Sequence, residues 1–164
     1  MKIVRRIVLL LACLLVIAQF VRPTKNTPAA GQINTFTGHY AVPADVEAIL
    51  RTACYDCHSD STRYPWYAEV QPMGWWLNNH IQDGKRHLNF SGFAEYRLRR
   101  QYGKFGDIVS EVSDGGMPLP SYLIVHTDAR LSKEQQDRIV GWAKAMQDTM
   151  KAHYPADSLE RKTR

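Results

Sequence analysis

The N-terminal part of the chain carries its longest apolar run, the twelve consecutive residues from Ile7 to Ala18. Cations stand before this run, and Phe20 and Val21 continue it after one polar residue. Cations on the N-terminal side of such a run are typical of an export signal that follows the positive-inside rule. The stretch would span a bilayer with local thinning. We therefore expect residues 1–21 to form a signal or a transmembrane anchor, and we favour an uncleaved anchor.

Two other fates of this segment stay open. Val16 to Ala18 is an acceptable small-residue cleavage site, and the residues that end at Cys13 resemble a lipoprotein processing site. After Cys13 the chain stays apolar, whereas a mature lipoprotein normally turns polar, so lipidation is the weaker alternative. In all three cases the rest of the chain reaches the periplasmic side of the cytoplasmic membrane. For the anchored form we expect a single-pass protein with its folded domain on that side.

The remainder of the chain shows the periodicity of helices rather than of strands. Prolines and glycines without a periodic apolar pattern predict a tether over residues 22–43. Five apolar stretches with helical spacing follow over residues 44–152. They start near Pro43, Pro72, Ser91, Phe105 and Ser132, and the expected helix ends include Gly84, Gly103 and Gly115. Ser132 and Gln135 are placed to form a capping box. The pattern predicts an all-α domain of about five helices, followed by a charged tail at residues 153–164.

Composition narrows the class of protein. The 164 residues suffice for one compact domain, and 45% hydrophobic residues allow a buried core. Three cysteines are too few for a disulfide-stapled scaffold. Basic residues exceed acidic ones by 21 to 16, but three cations precede the apolar run, so 18 against 16, a net charge of +2, remain from Gln19 onward. The sequence has no basic patch with interleaved aromatic residues, and we expect no nucleic-acid partner.

The strongest chemical signal is the C-x-x-C-H motif from Cys54 to His58. Two thiols three positions apart can each add to a vinyl group of one haem, and the next residue then places an imidazole beneath the iron. The motif therefore predicts one covalent haem c, attached by thioethers at Cys54 and Cys57, with His58 as the proximal iron ligand. A thioredoxin-like pair would need a βαβ context, and structural zinc would need a second Cys/His pair. A Cys54–Cys57 disulfide would close only a small, strained loop.

The distal iron ligand is expected to be Met117, which follows His58 by 59 residues and lies in a loop framed by glycine and proline. The backbone of such a loop need not follow a helix or a strand, so the loop can hold a thioether against the iron. His80 and His87 are the alternative ligands. The alternative to iron ligation is that Met117 only fills a gap in the core.

Aromatic residues follow the motif closely, among them Tyr64, Trp66 and Tyr67. Rings with a polar tip suit either an exposed haem edge with its propionates or the sealing of a core, and both interpretations stay open. The carbonyl of Pro65 or of a neighbour is expected to accept a hydrogen bond from Nδ1 of His58 and so to orient the ring.

Several short motifs, taken together, carry a family resemblance. The matching residues are Gln19-Phe20, Arg22-Pro23 and Asn26; Cys54 to His58; Tyr64 to Ala68; Trp75-Trp76 and His80; Gly84 to Ser91; Met117-Pro118; and His126, Ala129, Leu131 and Ser132. In this combination the chain resembles the small membrane-anchored haem-binding-domain proteins, a cytochrome c-like family with one C-x-x-C-H site. The resemblance runs to about Met150 and departs at Leu119, where a second proline is expected. It implies haem binding and electron transfer, and it supplies no substrate and no catalytic base.

These observations favour a membrane-tethered monohaem cytochrome that passes electrons between redox proteins, rather than an enzyme. The alternative is a haem sensor or a peroxidase-like enzyme whose sixth site is open or can open. An enzyme would need a general acid and a general base above the distal face, and His80 with Arg86 or Glu111 is the combination that the sequence offers. A third alternative is an interaction module without a cofactor.

Overall fold

The computed structural model describes residues 1–28 and 35–160, and all regular elements in these ranges are helical. The all-α prediction is therefore confirmed for the described residues. The α-helices are α1 Lys2–Ala18, α2 Thr35–His39, α3 Ala44–Ala53, α4 Tyr55–His58, α5 Met73–His87, α6 Leu98–Ser113, α7 Pro120–Leu123, α8 Lys133–His153 and α9 Ala156–Leu159. Short 3-10 turns lie at Trp66–Glu69, Phe93–Glu95 and Thr127–Ala129.

The N-terminal helix α1 stands apart from the core. It has 17 residues, none of them buried, and it is capped at Gln19. Within residues 1–28 and 35–160, no helix combines the length and the apolar character needed to cross a membrane. The membrane-spanning anchor that we expected over residues 1–21 is therefore not found.

The predicted tether at residues 22–43 and the residues just before it pack against the domain. Just before it, Gln19 and Gln71 exchange hydrogen bonds between side chain and backbone at 2.9 and 3.1 Å. Trp75 Nε1 then donates to the carbonyl of Val21 at 2.7 Å. Further on, helix α2 places Phe36 in the core with no exposed surface. A single buried ring leaves no periodic pattern, so this contact has no local signal in the sequence. Residues 29–34 of the predicted tether lie outside the described range.

An aromatic cluster forms the centre of the core. The rings of Phe36, Phe90, Phe93, Phe105 and Trp142 meet with centroid separations of about 5 to 6 Å. Helices α6 and α8 supply two of these rings and pack along each other. The predicted capping box at the start of α8 is present, because Ser132 Oγ accepts from the Gln135 amide and the Gln135 side chain accepts from the Ser132 amide.

Three predicted helix boundaries differ from the structure. Gly84 and Gly103 do not end helices but lie inside α5 and α6. In place of the predicted third and fourth helices, the structure has the 3-10 turn Phe93–Glu95 and one continuous helix, α6. Ser91 does not begin a helix; its hydroxyl accepts a hydrogen bond from the backbone N–H of Asp60 at 2.9 Å. A glycine costs a helix only about 1 kcal/mol, which tertiary packing offsets.

The C-terminal segment also joins the fold. Helix α8 continues to His153, and α9 places Leu159 in the core with 2% of its surface exposed. Arg99 Nη2 holds α9 by donating to the carbonyl of Asp157 at 2.7 Å. Residues 161–164 of the predicted charged tail lie outside the described range.

Candidate functional site

The C-x-x-C-H motif lies where α3 ends and α4 begins. Cys54 breaks the helix with φ −124°, and its carbonyl accepts hydrogen bonds from the amides of Cys57 and His58 at 3.2 and 2.9 Å. This single turn directs all three side chains into one cavity of about 340 Å³. That volume falls in the usual range of ligand pockets, roughly 300–1,000 Å³. Apolar side chains of α3, α6 and α8 also line it, among them Leu50, Ile108, Val112 and Ile139.

The imidazole of His58 is oriented by the last turn of α5. Its Nδ1 lies 3.0 Å from the carbonyl oxygens of both Gly84 and Leu88. Carbonyls only accept, so Nδ1 carries the proton and Nε2 keeps its lone pair. Burial lowers the pKa of His58, which favours this neutral form. The ring therefore offers Nε2 as a ligand atom, as a proximal haem ligand requires.

The predicted role of the Pro65 carbonyl in orienting His58 is wrong, because the carbonyls of Gly84 and Leu88 fill that place. Gly84 lies in the last turn of α5, where its carbonyl also accepts from the Leu88 amide at 2.8 Å, and Leu88 follows the helix as its C-cap. The sequence offers no local signal for this contact, because 26 and 30 positions separate the partners.

Gly84 allows α5 to touch the motif directly. A Cβ built on Gly84 would lie 2.6 Å from the carbonyl oxygen and 3.2 Å from the Cβ of Cys57. The first distance is shorter than any van der Waals contact, so residue 84 has no space for a side chain. Glycine at this position brings α5 close enough for its carbonyls to reach His58.

The two motif cysteines are free thiols. Burial raises the pKa of Cys54 to about 12 and that of Cys57 to about 11, so both are protonated near neutral pH. A redox-active C-x-x-C pair lowers the pKa of its attacking thiol instead. In the part of the chain that the structure describes, no group of three or more His, Cys, Asp or Glu side chains is arranged to hold a metal ion.

Met117 and both alternative ligands, His80 and His87, line the same cavity as His58. The loop of Met117 leaves α6 through Gly115, whose φ of +72° is the left-handed conformation that glycine adopts freely. The amide of Met117 then donates to the carbonyl of Glu111 at 3.1 Å. The fold thus brings the three candidate distal ligands together without selecting one, and each stays a prediction.

Three further histidine and methionine side chains lie outside the cavity. Nε2 of His126 is 3.1 Å from the hydroxyl of Tyr67, and Nδ1 of His153 is 2.8 Å from the carbonyl of Thr149 in its own helix. Met73, at the start of α5, is 43% exposed. None of these three residues lines the cavity.

A buried carboxylate, which the sequence pattern did not indicate, lies beside the cysteines. Asp56 is only 6% exposed and lines the cavity together with Tyr122, whose hydroxyl donates to Oδ2 of Asp56 at 2.8 Å. Arg63 donates to the same carboxylate from its backbone N–H and from its side chain, at 2.9 to 3.3 Å. Burial, and then the charge of Asp56, raise the pKa of Tyr122, so its hydroxyl keeps its proton. No local pattern marks Asp56 and Tyr122 as partners, because 66 positions separate them.

Tyr64, Trp66 and Tyr67, the aromatic residues after the motif, do not line the cavity. The hydroxyl of Tyr64 accepts a hydrogen bond from the amide of Asn26 at 2.6 Å, and Trp66 is 79% exposed. The side chain of Asn26 donates in turn to the carbonyl of Ser59 at 2.8 Å. Tyr64 therefore holds the segment after α1 against the motif loop.

Comparison with known proteins gives one match. The sequence model of a family described as haem-binding domain matches residues 13–145. No curated protein and no solved structure matches the chain.

The close contact at Gly84 leads to a first prediction. We expect Gly84→Ala to push α5 away from Cys57 and to cost about 1–3 kcal/mol of stability, the usual cost of overpacking. The carbonyls that orient His58 would move with the helix, so the amount of haem bound per chain should also fall. Thermal unfolding and the haem-to-protein ratio measure the two effects.

Gly103→Ala is the matched control. Gly103 lies inside α6, and a Cβ there would meet nothing within 4 Å. Alanine should therefore stabilise that helix by about 0.5–1 kcal/mol and leave haem binding unchanged. Equal behaviour of the two variants would contradict the role that we assign to Gly84.

Proposed function

Since the chain belongs to the haem-binding domain family, we propose that it carries one covalently attached haem c and transfers electrons. The observation that supports the covalent form is the cavity into which Cys54, Cys57 and His58 all point. Each thiol would add across one vinyl group: a sulfur–carbon bond forms, the vinyl double bond becomes single, and the thiol hydrogen goes to carbon. This addition needs no oxidant or reductant.

The residues of the cavity suit such a group. Apolar walls favour a flat aromatic macrocycle, and the neutral His58 offers Nε2 from one side. Met117 is our proposed ligand from the other side. A bound haem supplies reversible one-electron chemistry at its iron, and a thioether ligand raises the potential relative to a second imidazole.

A second candidate function rests on two polar residues of the cavity. His80 and Glu111 both line it, so a general base and a carboxylate are present as a haem sensor or a peroxidase-like enzyme would need. Arg86, the other partner that we considered for His80, forms an ion pair with Asp83 instead. Electron transfer is the first candidate because Met117 lines the same cavity and would fill the sixth site.

We further propose that the haem domain lies on the periplasmic side of the cytoplasmic membrane. Support comes from the exposed apolar side chains of α1 and from Lys2, Arg5 and Arg6 at its start. Helix α1 would direct export and keep the domain at the membrane. Haem attachment to C-x-x-C-H motifs occurs on that side, so the location agrees with the proposed cofactor.

Serine substitutions at the cysteines test whether the haem is attached covalently. We expect Cys54→Ser/Cys57→Ser to lose all haem on a denaturing gel, and each single variant to shift the pyridine haemochrome toward that of one thioether link. Cys13→Ser removes the remaining cysteine, which lies in α1, and should keep the full haem signal. Covalent haem in the double variant would contradict the proposed attachment.

Met117→Ala addresses the distal ligand. The ferric protein should lose a weak charge-transfer band at the red end of its spectrum, because that band reports iron–thioether ligation. Met73→Ala removes the same side chain outside the cavity and should leave the spectrum intact. If His80→Ala or His87→Ala changes the ligand-field spectrum while Met117→Ala does not, the distal ligand is a histidine.

Charge reversal at the N-terminus probes the location. We expect protease added to spheroplasts to digest the haem domain, and Lys2→Glu/Arg5→Glu/Arg6→Glu to reduce export and hence haem loading. Lys144→Glu, an exposed change on α8, should have no effect. A wild-type domain protected in intact spheroplasts would overturn the proposed location.

A further inference from the structure

One hydrogen bond joins the two sides of the cavity. Asp56, between the two cysteines, accepts from the hydroxyl of Tyr122 on α7 at 2.8 Å. The Asp56 side chain is 8% exposed, so water does not compete effectively for the carboxylate. A hydrogen bond to a buried charged group is stronger than one between neutral groups.

The carboxylate is held in place from the other side. Arg63 donates to it from its backbone N–H, Nε and Nη2. Thr62 also donates to the backbone carbonyl of Asp56 at 2.6 Å. Asp56 is therefore a fixed acceptor within the motif turn, with its charge compensated by a guanidinium.

The ring of Tyr122 packs against a histidine of the same segment. Its ring stacks on that of His126, with centroids 4.2 Å apart and planes 10° from parallel. Nε2 of His126 lies 3.1 Å from the hydroxyl of Tyr67. The stacking contact thus orients the Tyr122 ring, and the bond to Asp56 fixes its hydroxyl.

The loop of Met117 lies between two attachment points. On one side the amide of Met117 donates to the carbonyl of Glu111, at the end of α6. On the other side, five residues later, Tyr122 bonds to Asp56. Without that second bond, the loop would keep its link to α6 but lose its direct link to the turn that carries His58.

We propose that Tyr122 is a positioning residue that holds Met117 at the sixth site of the haem through its hydrogen bond to Asp56. The bond closes the distal loop onto the segment that provides the proximal ligand. Loss of the bond allows the loop to open, and an external ligand then competes with Met117. This inference rests on the proposed ligation by Met117.

The experiment uses Tyr122→Phe in the haem-loaded full chain. Deleting a hydrogen bond to a charged acceptor should raise the population of the open loop about tenfold or more. Cyanide affinity of the ferric protein should rise by a similar factor, and the red charge-transfer band should weaken. Amide hydrogen exchange over residues 116–126 should accelerate, which reports the loop without relying on the iron.

Tyr55→Phe is the matched control. The hydroxyl of Tyr55 donates to Oε2 of Glu47 at 2.6 Å, so this variant also removes a tyrosine–carboxylate bond. Tyr55 does not line the haem cavity. Cyanide affinity and exchange over residues 116–126 should stay at their wild-type values in this variant.

A double variant separates the two proposals. In a Met117→Ala background, Tyr122→Phe should change cyanide affinity less than twofold, because no thioether remains to be displaced. If Tyr122→Phe accelerates exchange but Met117→Ala leaves the spectrum intact, the ligand assignment fails and positioning of Met117 fails with it. If Met117→Ala removes the band but Tyr122→Phe changes neither exchange nor cyanide affinity, positioning by Tyr122 is wrong while the ligation stands.

Discussion

The contact between the end of α5 and the motif turn is the constraint on which the site depends. Carbonyl oxygens of Gly84 and Leu88 fix the tautomer and direction of His58, and they reach it because residue 84 has no side chain. The motif turn alone would leave the imidazole free to rotate about its χ angles. Two long-range acceptors remove that freedom and leave Nε2 as the ring atom with a lone pair to donate to a metal.

A buried charge beside the cysteines adds a second constraint. Leaving the carboxylate of Asp56 without partners would cost several kcal/mol, roughly the penalty for burying an ion in a protein. Arg63 and Tyr122 satisfy it, and they follow Asp56 along the chain by 7 and 66 positions. The hydrogen bonds and the ion pair of Asp56 therefore fix the positions of the loops that carry its partners. The apolar walls of the cavity do not fix them, since apolar contacts carry little directional preference.

Parts of the fold and of the site follow from local pattern. The apolar stripe of α8 and its capping box could be read directly, because helical spacing and N-caps are properties of residues close in sequence. The C-x-x-C-H spacing likewise places two thiols and an imidazole on one turn. By contrast, Gly84 and Gly103 suggested helix ends, and they lie inside helices because tertiary packing outweighs a propensity term of about 1 kcal/mol. Phe36 carried no periodic signal, yet it lies at the centre of the aromatic cluster.

The sequence by itself determined the all-helical class and the C-x-x-C-H motif, because both rest on spacings within one or two turns of helix. Only the tertiary structure decided which carbonyls orient His58, which residues compensate Asp56, and that Met117, His80 and His87 share one cavity. The physical reason is distance along the chain: His58 meets its acceptors 26 and 30 residues away, and Asp56 meets Tyr122 66 residues away. Contacts of that range depend on how helices pack, which no local pattern records.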